Sequence, residues 1–518
     1  MGFLLLIYGN SLWQLLQQQM AGDWLEILND SYIRHILVFS FYQALLSAVL
    51  SVGLGLLAAH ALFYQSFFGK SWLLKWFSLT MVLPVLVAVF GLLTVYGSAG
   101  WLAGIAAFWN FDWQPNIYGL SGILLAHIFF NLPLSARVFL QSLHAIPNQQ
   151  RQLAAQLGIL NLHFIRLVEW RYLRRHLLPT FALVFMLCFT SFSIVLTLGG
   201  GPRYTTLEVA IYQAVIFDFE LGKAAILALL QFIICFFLFE LSNYFTRHTP
   251  TAASAGTAFQ FPLPTWLHIF HYAVLAALVL FTLLPLLAIC VSGLDISAWE
   301  KSLTNTQLYK ALGYSLSIAP LAGGLCVAMT TALLLGARQF HWIGRERCAT
   351  LLIDTGMMIL AVPALVLAVG LFLLLRQFSV TTPYLFLIVV LCNALMAMPF
   401  ALRILTVPFF HNMTYYENLC RSLGIRGFNR LRLVEWQNLK GSVKSAFALA
   451  TTLSLGDFTV IALFGNENFT SLPRFLYQQL GNYHSREAAV TSFILLLFCG
   501  AVFYLTEKNK PGDKQKNR

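Results

Sequence analysis

Charged residues are scarce in this chain of 518 residues. Lys, Arg, Asp and Glu make up 10% of it, whereas soluble globular domains carry about 25%. Hydrophobic residues reach 59%, and the mean hydropathy is +0.74. This balance excludes a disordered chain, a coiled coil, a disulfide scaffold and a soluble cytosolic enzyme, because none of these presents so much apolar surface. The composition predicts an all-α polytopic membrane protein.

Motifs for catalysis, metal binding and nucleotide binding are also missing. The eight cysteines form no Cys-x-x-Cys pair and mostly lie in apolar runs, so we expect no metal and no redox role. Gly69-Lys70-Ser71 is not a phosphate-binding loop, because Tyr64 occupies the place of its first glycine. No Gly-x-Ser-x-Gly elbow is present. We expect no catalytic residues; the alternative, an intramembrane enzyme, would need facing His or acidic residues in the spans.

The net charge of +12 does not indicate a nucleic-acid partner. The basic residues lie between apolar runs and in a basic tail, 508–518, with no basic stripe interleaved with aromatics. Alternate connections contain 24 of the 32 Lys and Arg residues, and cytoplasmic loops carry such an excess. The distribution predicts that the loops at about 137–178 and 403–441 and the C-terminus are cytoplasmic.

Apolar runs long enough to cross a bilayer, about 17–25 residues, recur along the chain. A further run at residues 2–8 is too short alone, so we expect either that residues 10–20 complete a helix there or that the chain begins late. The total is about 11–12 helices. The eleven predicted spans are 35–63, 74–95, 118–136, 179–199, 222–242, 266–293, 313–336, 351–375, 384–402, 442–464 and 488–506.

The chain repeats itself at an offset of 266 residues. Leu-Gly-Ile at 157–159 recurs at 423–425, and Arg-Leu-Val-Glu-Trp at 166–170 recurs identically at 432–436. Both copies follow the same pattern of spans, which predicts two parallel-repeat transmembrane modules. The predicted divisions are a first module at 1–250, a linker at 251–265, a second module at 266–507 and the cytoplasmic tail at 508–518.

Each of the two basic loops is predicted to contain a short helix, at about 148–158 and 414–424. Asn148 and the pair Thr414 and Glu417 are suited to cap the helix starts, and the glycines at 158 and 424 are suited to end them. Leucines spaced four residues apart give each helix a narrow apolar face. The helices either pack against their own bundle or, since they occur twice, dock a dimeric partner. The leucines are Leu153, Leu157, Leu419 and Leu423.

The loops resemble the coupling loop of ABC-importer permeases, whose pattern is Glu-Ala-Ala-x3-Gly-x9-Ile-x-Leu-Pro. The glycine and the spacing are kept, but the leading Glu is an amide in both copies, and Arg171 and Gln437 stand where the pattern ends in Pro. The residues that match the motif are Gln152, Leu153, Ala154, Leu157 and Gly158 in the first copy, and Asn418, Leu419, Cys420, Leu423 and Gly424 in the second.

Longer segments, such as 83–97, 122–137 and 453–466, are similar to the fused two-domain permeases of thiamine importers. This resemblance covers nearly the whole chain. It implies a multi-pass protein of the bacterial inner membrane that imports thiamine and its phosphates by alternating access. It also implies a periplasmic thiamine-binding protein and a cytoplasmic ATPase dimer, which carries the ATP and Mg²⁺, so that this chain binds no cofactor. A ferric-ion ABC importer permease and a secondary transporter are the alternatives.

Few ionisable residues lie near the predicted spans, and such residues are functional candidates. Asp457 either lines the pathway or pairs with a helix end. Glu169 and Glu435 each follow an Arg by three residues, Arg166 and Arg432. These residues either form solvated ion pairs or support the coupling helices.

Overall fold

The computed structural model describes residues 2–19, 24–80, 82–111, 113, 115–159, 161–246, 264–360, 362–375, 381–425 and 427–507. Every regular element within them is helical, and nine helices there are long and apolar enough to cross a membrane. The predicted fold class, an all-α polytopic membrane protein, is confirmed. Most of the predicted linker and the predicted tail lie outside the described residues, so the module boundaries stay predictions.

The first half of the chain also contains a π-helical turn (Ile165–Glu169) and a 3-10 turn (Pro202–Tyr204). Its α-helices are α1 (Gly2–Gln19), α2 (Trp24–Asn29), α3 (Ser31–Tyr64), α4 (Lys70–Thr80), α5 (Val85–Tyr96), α6 (Trp101–Phe108), α7 (Leu120–His144), α8 (Asn148–Gln156), α9 (Asn161–Phe164), α10 (Trp170–Phe189), α11 (Phe192–Leu198), α12 (Leu207–Ile216) and α13 (Leu221–Thr246).

The second half likewise contains a 3-10 turn (Met358–Leu360) and a π-helical turn (Leu431–Glu435). Its α-helices are α14 (Thr265–Ser292), α15 (Ile296–Thr304), α16 (Thr306–Trp342), α17 (Glu346–Met357), α18 (Ala364–Leu375), α19 (Thr382–Ser422), α20 (Gly427–Arg430), α21 (Trp436–Gly456), α22 (Thr459–Phe464), α23 (Leu472–Gly481) and α24 (Ser485–Glu507).

Equivalent contacts recur in the two halves. The backbone N–H of Leu207 at the start of α12 donates to the Ser40 hydroxyl of α3 at 2.9 Å. In the second half, the N–H of Leu472 at the start of α23 donates to the Ser315 hydroxyl of α16 at 2.8 Å. In each half the hydroxyl thereby satisfies a free N–H at a helix start. The sequence repeat is therefore also a repeat of tertiary contacts.

Helix α1 is a continuous helix of 18 residues, so residues 10–19 extend the apolar run that is too short alone. One stripe of it is buried, at Leu4, Tyr8, Ser11 and Leu15, which is the spacing of a single helix face. This face lies against α13 of its own half and α18 of the other half. The N-terminal helix therefore joins the two halves.

Helix α14 makes the equivalent crossing, against α5 of the first half. Both crossings occur at a glycine. A Cβ at Gly91 of α5 would overlap the Pro285 carbonyl of α14, and a Cβ at Gly370 of α18 would overlap Ser11 of α1. Without a hydrophobic effect between helices in lipid, close approach at small residues is what holds such contacts.

Four of the predicted spans are wrong as continuous helices. Pro84 precedes α5 and Pro363 precedes α18, so the spans predicted at 74–95 and 351–375 are each divided. The spans predicted at 179–199 and 442–464 are likewise divided, between α10 and α11 and between α21 and α22. Hydropathy follows apolar composition and not hydrogen bonding, and a proline removes a backbone donor without reducing hydropathy much. The breaks lie inside the bundle, where α5 contacts α11 and α18 contacts α22.

We predict that Gly91→Ala and Gly370→Ala each destabilise the folded protein, because the new Cβ cannot fit unless a crossing helix moves. Such overpacking costs about 1–3 kcal/mol. The measurement is the midpoint of thermal unfolding in detergent. Gly324→Ala in α16 is the control, because its Cβ would meet nothing within 4 Å and alanine favours a helix over glycine. Equal midpoints for all three variants would contradict the crossing role.

Candidate functional site

The first loop helix, α8, starts directly after a proline. Pro147 occupies the capping position and makes no side-chain capping bond. The prediction that Asn148 caps this helix is wrong, because Asn148 is already its first helical residue. Proline fixes its own backbone φ and has no N–H to leave unsatisfied, so Pro147 suits the break between α7 and α8.

The second loop helix is not a separate helix but the end of α19, which runs without interruption to Ser422. The predicted capping box at Thr414 and Glu417 is therefore wrong. The Thr414 hydroxyl donates to the Phe410 carbonyl at 3.0 Å within the same helix. Met413 stands where the first copy has Pro147, so nothing ends the helix at this point.

Both loop helices end at the predicted glycines in the same turn. Gly158 and Gly424 have φ of +68° and +65°, the left-handed region that glycine adopts without a Cβ clash. After each glycine, one N–H returns to the helix: Ile159 donates to Ala154, and Ile425 to Cys420, both at 2.9 Å. This is the arrangement of a Schellman ending. The prediction that these glycines end the helices is confirmed.

The apolar stripes of the loop helices do not pack against the bundle. All four leucines of the predicted faces are more than half exposed. Ala154 and Cys420 are the buried members of the motif, while Gln152 and Asn418 are exposed. The exposed fractions are 56% for Leu153, 65% for Leu157, 51% for Leu419 and 63% for Leu423.

A buried glutamate holds the first loop helix to the bundle. Glu169 is fully buried at the end of the first π-helical turn. Its Oε1 accepts a hydrogen bond from the Tyr64 hydroxyl at 2.5 Å and lies 4.0 Å from Nη1 of Arg151 in α8. His60 Nε2 is 3.3 Å from its Oε2. The Arg151 guanidinium also covers the ring of Phe63 at 4.6 Å. Helices α3 and α8 and the π-helical turn therefore meet at one carboxylate.

The second loop uses the equivalent glutamate with different partners. Glu435, at the end of the second π-helical turn, is 4% exposed and accepts from Arg430 at 3.0 Å and from Arg338 of α16. Arg430 also pairs with Glu417 of the loop helix at 2.9 Å. Both guanidinium groups lie over the Trp342 ring, at 4.7 and 4.6 Å. Two arginines and two glutamates thus form one buried cluster.

The charge on the loop helix is reversed between the two copies. At the 266-residue offset, Arg151 corresponds to Glu417, and Phe164 corresponds to Arg430. The glutamate of the π-helical turn is common to both. A buried charge is stable only beside an opposite charge or with hydrogen bonds. The residues around the glutamate therefore differ between the two loops, and in each loop they include an opposite charge. Sequence comparison of the copies could find the shared glutamates but not their partners.

The predicted ion pairs of Glu169 with Arg166 and of Glu435 with Arg432 are wrong as the main contacts of these glutamates. Both arginines are exposed, while both carboxylates point inward. The π-helical turn is the reason: the Trp170 N–H donates to the Ile165 carbonyl, five residues back, so the turn is wider than an α-helical one and i,i+3 neighbours no longer face each other.

Asp457 lies at the break between α21 and α22. Its carboxylate oxygens accept hydrogen bonds from the backbone N–H groups of Thr459 and Val460, each at 3.3 Å. Of the two predicted roles, pairing with a helix end therefore has direct contacts. A position on the pathway stays a prediction.

Comparisons with known proteins agree with this architecture. Residues 51–251 match the family described as binding-protein-dependent transport system inner membrane component. A thiamine transport system permease protein of Haemophilus influenzae is 53% identical over 99% of this chain and 95% of its own length. The protein of that name from Escherichia coli is 46% identical over 95% and 92%, and that from Brucella abortus 38% over 99% and 95%.

The match to binding-protein-dependent transport components identifies a transport subunit of that class, and its two halves each carry an exposed loop helix beside a buried glutamate. The similarity extends over the whole chain and not only over the matched family region. The chain belongs to the family of thiamine transport system permease proteins.

We predict that Glu435→Ala costs about 3–5 kcal/mol of unfolding free energy, because it leaves Arg338 and Arg430 buried beside each other with one carboxylate fewer. Glu169→Ala is expected to cost less, since only one arginine depends on it. The measurement is denaturant unfolding in detergent. Arg432→Ala, at an exposed site, is the control and should stay within about 0.5 kcal/mol of the parent. A larger loss for Arg432→Ala than for Glu435→Ala would contradict this account.

Proposed function

We propose that this chain is the membrane permease of an ATP-driven importer that moves thiamine and its phosphates from the periplasm to the cytoplasm. The observation that carries the proposal is the pair of exposed leucine faces on the loop helices, because a duplicated apolar surface fits a partner with two equivalent subunits. That partner is a cytoplasmic ATPase dimer, and a periplasmic binding protein delivers the substrate. The loop helices and the C-terminus then face the cytoplasm.

The substrate assignment rests on the relatives. The full-length relatives are named for thiamine transport, which does not favour the ferric-ion alternative. A secondary transporter has no need of a paired docking surface, so the exposed leucines argue against it.

The contacts suggest how movement of an ATPase subunit reaches the membrane. Arg151 of α8 meets Glu169, and α10 begins at the next residue. Helix α10 has 20 residues, so it extends about 30 Å to the break before α11. Glu435 and α21 repeat the arrangement in the second half. A displaced loop helix would therefore move a continuous helix whose far end lies at the helix breaks inside the bundle.

Uptake of labelled thiamine tests the proposal. Cells that lack their own importer would express this chain with a matching binding protein, with and without the ATPase. We expect uptake only when the ATPase is present. Uptake without the ATPase would indicate a secondary carrier, and ferric-ion accumulation without thiamine uptake would overturn the substrate.

We predict that Gly158→Val and Gly424→Val separate ATP hydrolysis from transport. Nothing lies within 4 Å of a Cβ at either site, so the bundle stays packed, but the left-handed backbone costs about 1–2 kcal/mol for a residue with a Cβ and the turn that ends each loop helix is distorted. Uptake and ATP hydrolysis by the reconstituted complex are the measurements.

Gly344→Val is the matched control for these two variants. Gly344 also has a positive φ, +77°, with nothing within 4 Å of its Cβ, but it follows α16 and not a loop helix. It should strain the chain similarly and keep transport coupled. Normal transport by the Gly158 and Gly424 variants would show that the docking assignment is wrong.

A further inference from the structure

Two equivalent phenylalanines of the two halves stack on each other. Phe192 and Phe458 are related by the 266-residue offset, their ring centroids are 5.9 Å apart and their planes differ by 14°. Each ring is 2% exposed. Equivalent residues of two repeats contact each other only where the axis relating the repeats passes. The stacked pair therefore marks the centre of the interface between the halves.

A tyrosine lies against each ring. Tyr212 of α12 meets Phe192 edge-on at 5.2 Å, and Tyr477 of α23 meets Phe458 at 5.0 Å. These tyrosines are also equivalent in the repeat, after a one-residue shift that makes the offset 265 in this part of the chain. The phenylalanines lie at the breaks where α10 gives way to α11 and α21 to α22. The four rings thus contact one another in a row, with the two phenylalanines in the middle. They lie near the ends of α10 and α21, the helices that start directly after Glu169 and Glu435.

Each stacked ring has one carboxylate near it that no basic side chain neutralises. Glu208 of α12, beside the backbone of Phe192, is 2% exposed. Its Oε1 accepts from the Gln231 amide at 2.7 Å, and its Oε2 has no hydrogen-bond partner among the described residues. Asp457 directly precedes Phe458 and accepts from the backbone N–H groups of Thr459 and Val460. Among the described residues neither carboxylate forms an ion pair.

Arg474 of α23 does not pair with these carboxylates. It donates to the carbonyl of Asn466 at 2.7 Å and to that of Phe469 at 3.4 Å. The two carboxylates also come from different places in the repeat, since Pro473 stands at the position equivalent to Glu208 and Ser191 at that of Asp457. Acidic groups inside a membrane are candidates for a binding site or pathway by default.

We propose that Phe192 and Phe458 are the two walls of a transient substrate site for a flat, cationic aromatic ring, closed in this structure because the rings stack on each other. When the halves separate, each ring presents a face suited to cation–π contact, and Glu208 and Asp457 supply the negative charge. This inference rests on the proposed function, because thiamine carries such a ring in its cationic thiazolium.

The test uses the complete complex of this chain, the ATPase and the binding protein in liposomes, with labelled thiamine. Replacing both rings, Phe192→Leu with Phe458→Leu, keeps apolar volume but removes the aromatic faces. We expect thiamine uptake to fall about tenfold, while ATP hydrolysis stimulated by the binding protein persists. Replacing both by Tyr keeps the faces and should retain uptake.

Phe189→Leu is the matched control, because Phe189 is also buried and stacks on Phe185 at 6.2 Å, a partner within the same helix, α10, and not in the other half. Glu208→Gln and Asp457→Asn test the charge without changing size, and each should lower uptake with the rings in place.

The outcomes separate this site from the proposed function. Absence of ATPase-dependent thiamine uptake in the parent complex would overturn the proposed function, and the site with it. Normal uptake by the parent and by the double Leu variant would overturn the site alone, as would an equal loss in Phe189→Leu. Unchanged uptake in both carboxylate variants would overturn a cationic ligand.

Discussion

In each half, one buried carboxylate fixes how the loop helix, the long helix beside it and the next membrane helix are arranged. Glu169 and Glu435 end the π-helical turns, and a buried charge is stable only with partners. The partners come from separate elements: the ends of α3 and α16, the loop helices, and, in the second half, Arg430 of α20. Each glutamate therefore fixes the loop helix, the long helix beside it and the start of α10 or α21 in one arrangement. Because ion pairs hold one face of each loop helix to the bundle, the exposed leucines of that helix keep their positions.

A second constraint is that neither half can move entirely on its own. Helix α1 lies against α18, and α14 lies against α5, at glycines that leave no room for a side chain. The contact continues from His271 of α14, which is 3.0 Å from His60, itself beside Glu169. The first loop is thereby linked to the second half as well as to its own. The stacked phenylalanines lie in the same interface between the two halves.

Much of the architecture could be predicted from patterns along the chain. The membrane class follows from composition, and most spans follow from apolar runs. The paired loops follow from the identical Arg-Leu-Val-Glu-Trp segments, and the glycine endings from Gly158 and Gly424. The divided helices were missed, because Pro84 and Pro363 hardly change the hydropathy of their surroundings. The predicted capping box at Thr414 is wrong because this residue lies in the interior of a continuous helix. The first copy differs because Pro147 separates its loop helix from the helix before it.

Three features could be read from the chain alone: that the protein lies in a lipid bilayer, that its architecture is repeated twice, and where its loops lie. These features depend on composition, periodicity and local backbone preference. Which charged residues meet depends instead on how the helices pack. Arg151 and Glu417 occupy the same position with opposite sign, and each pairs with a charged residue of a later element, Arg151 with Glu169 and Glu417 with Arg430. Packing also brings together Phe192 and Phe458, which are 266 residues apart. Their stacking comes from the symmetry of the folded halves, since contact across an axis has no signature in local sequence.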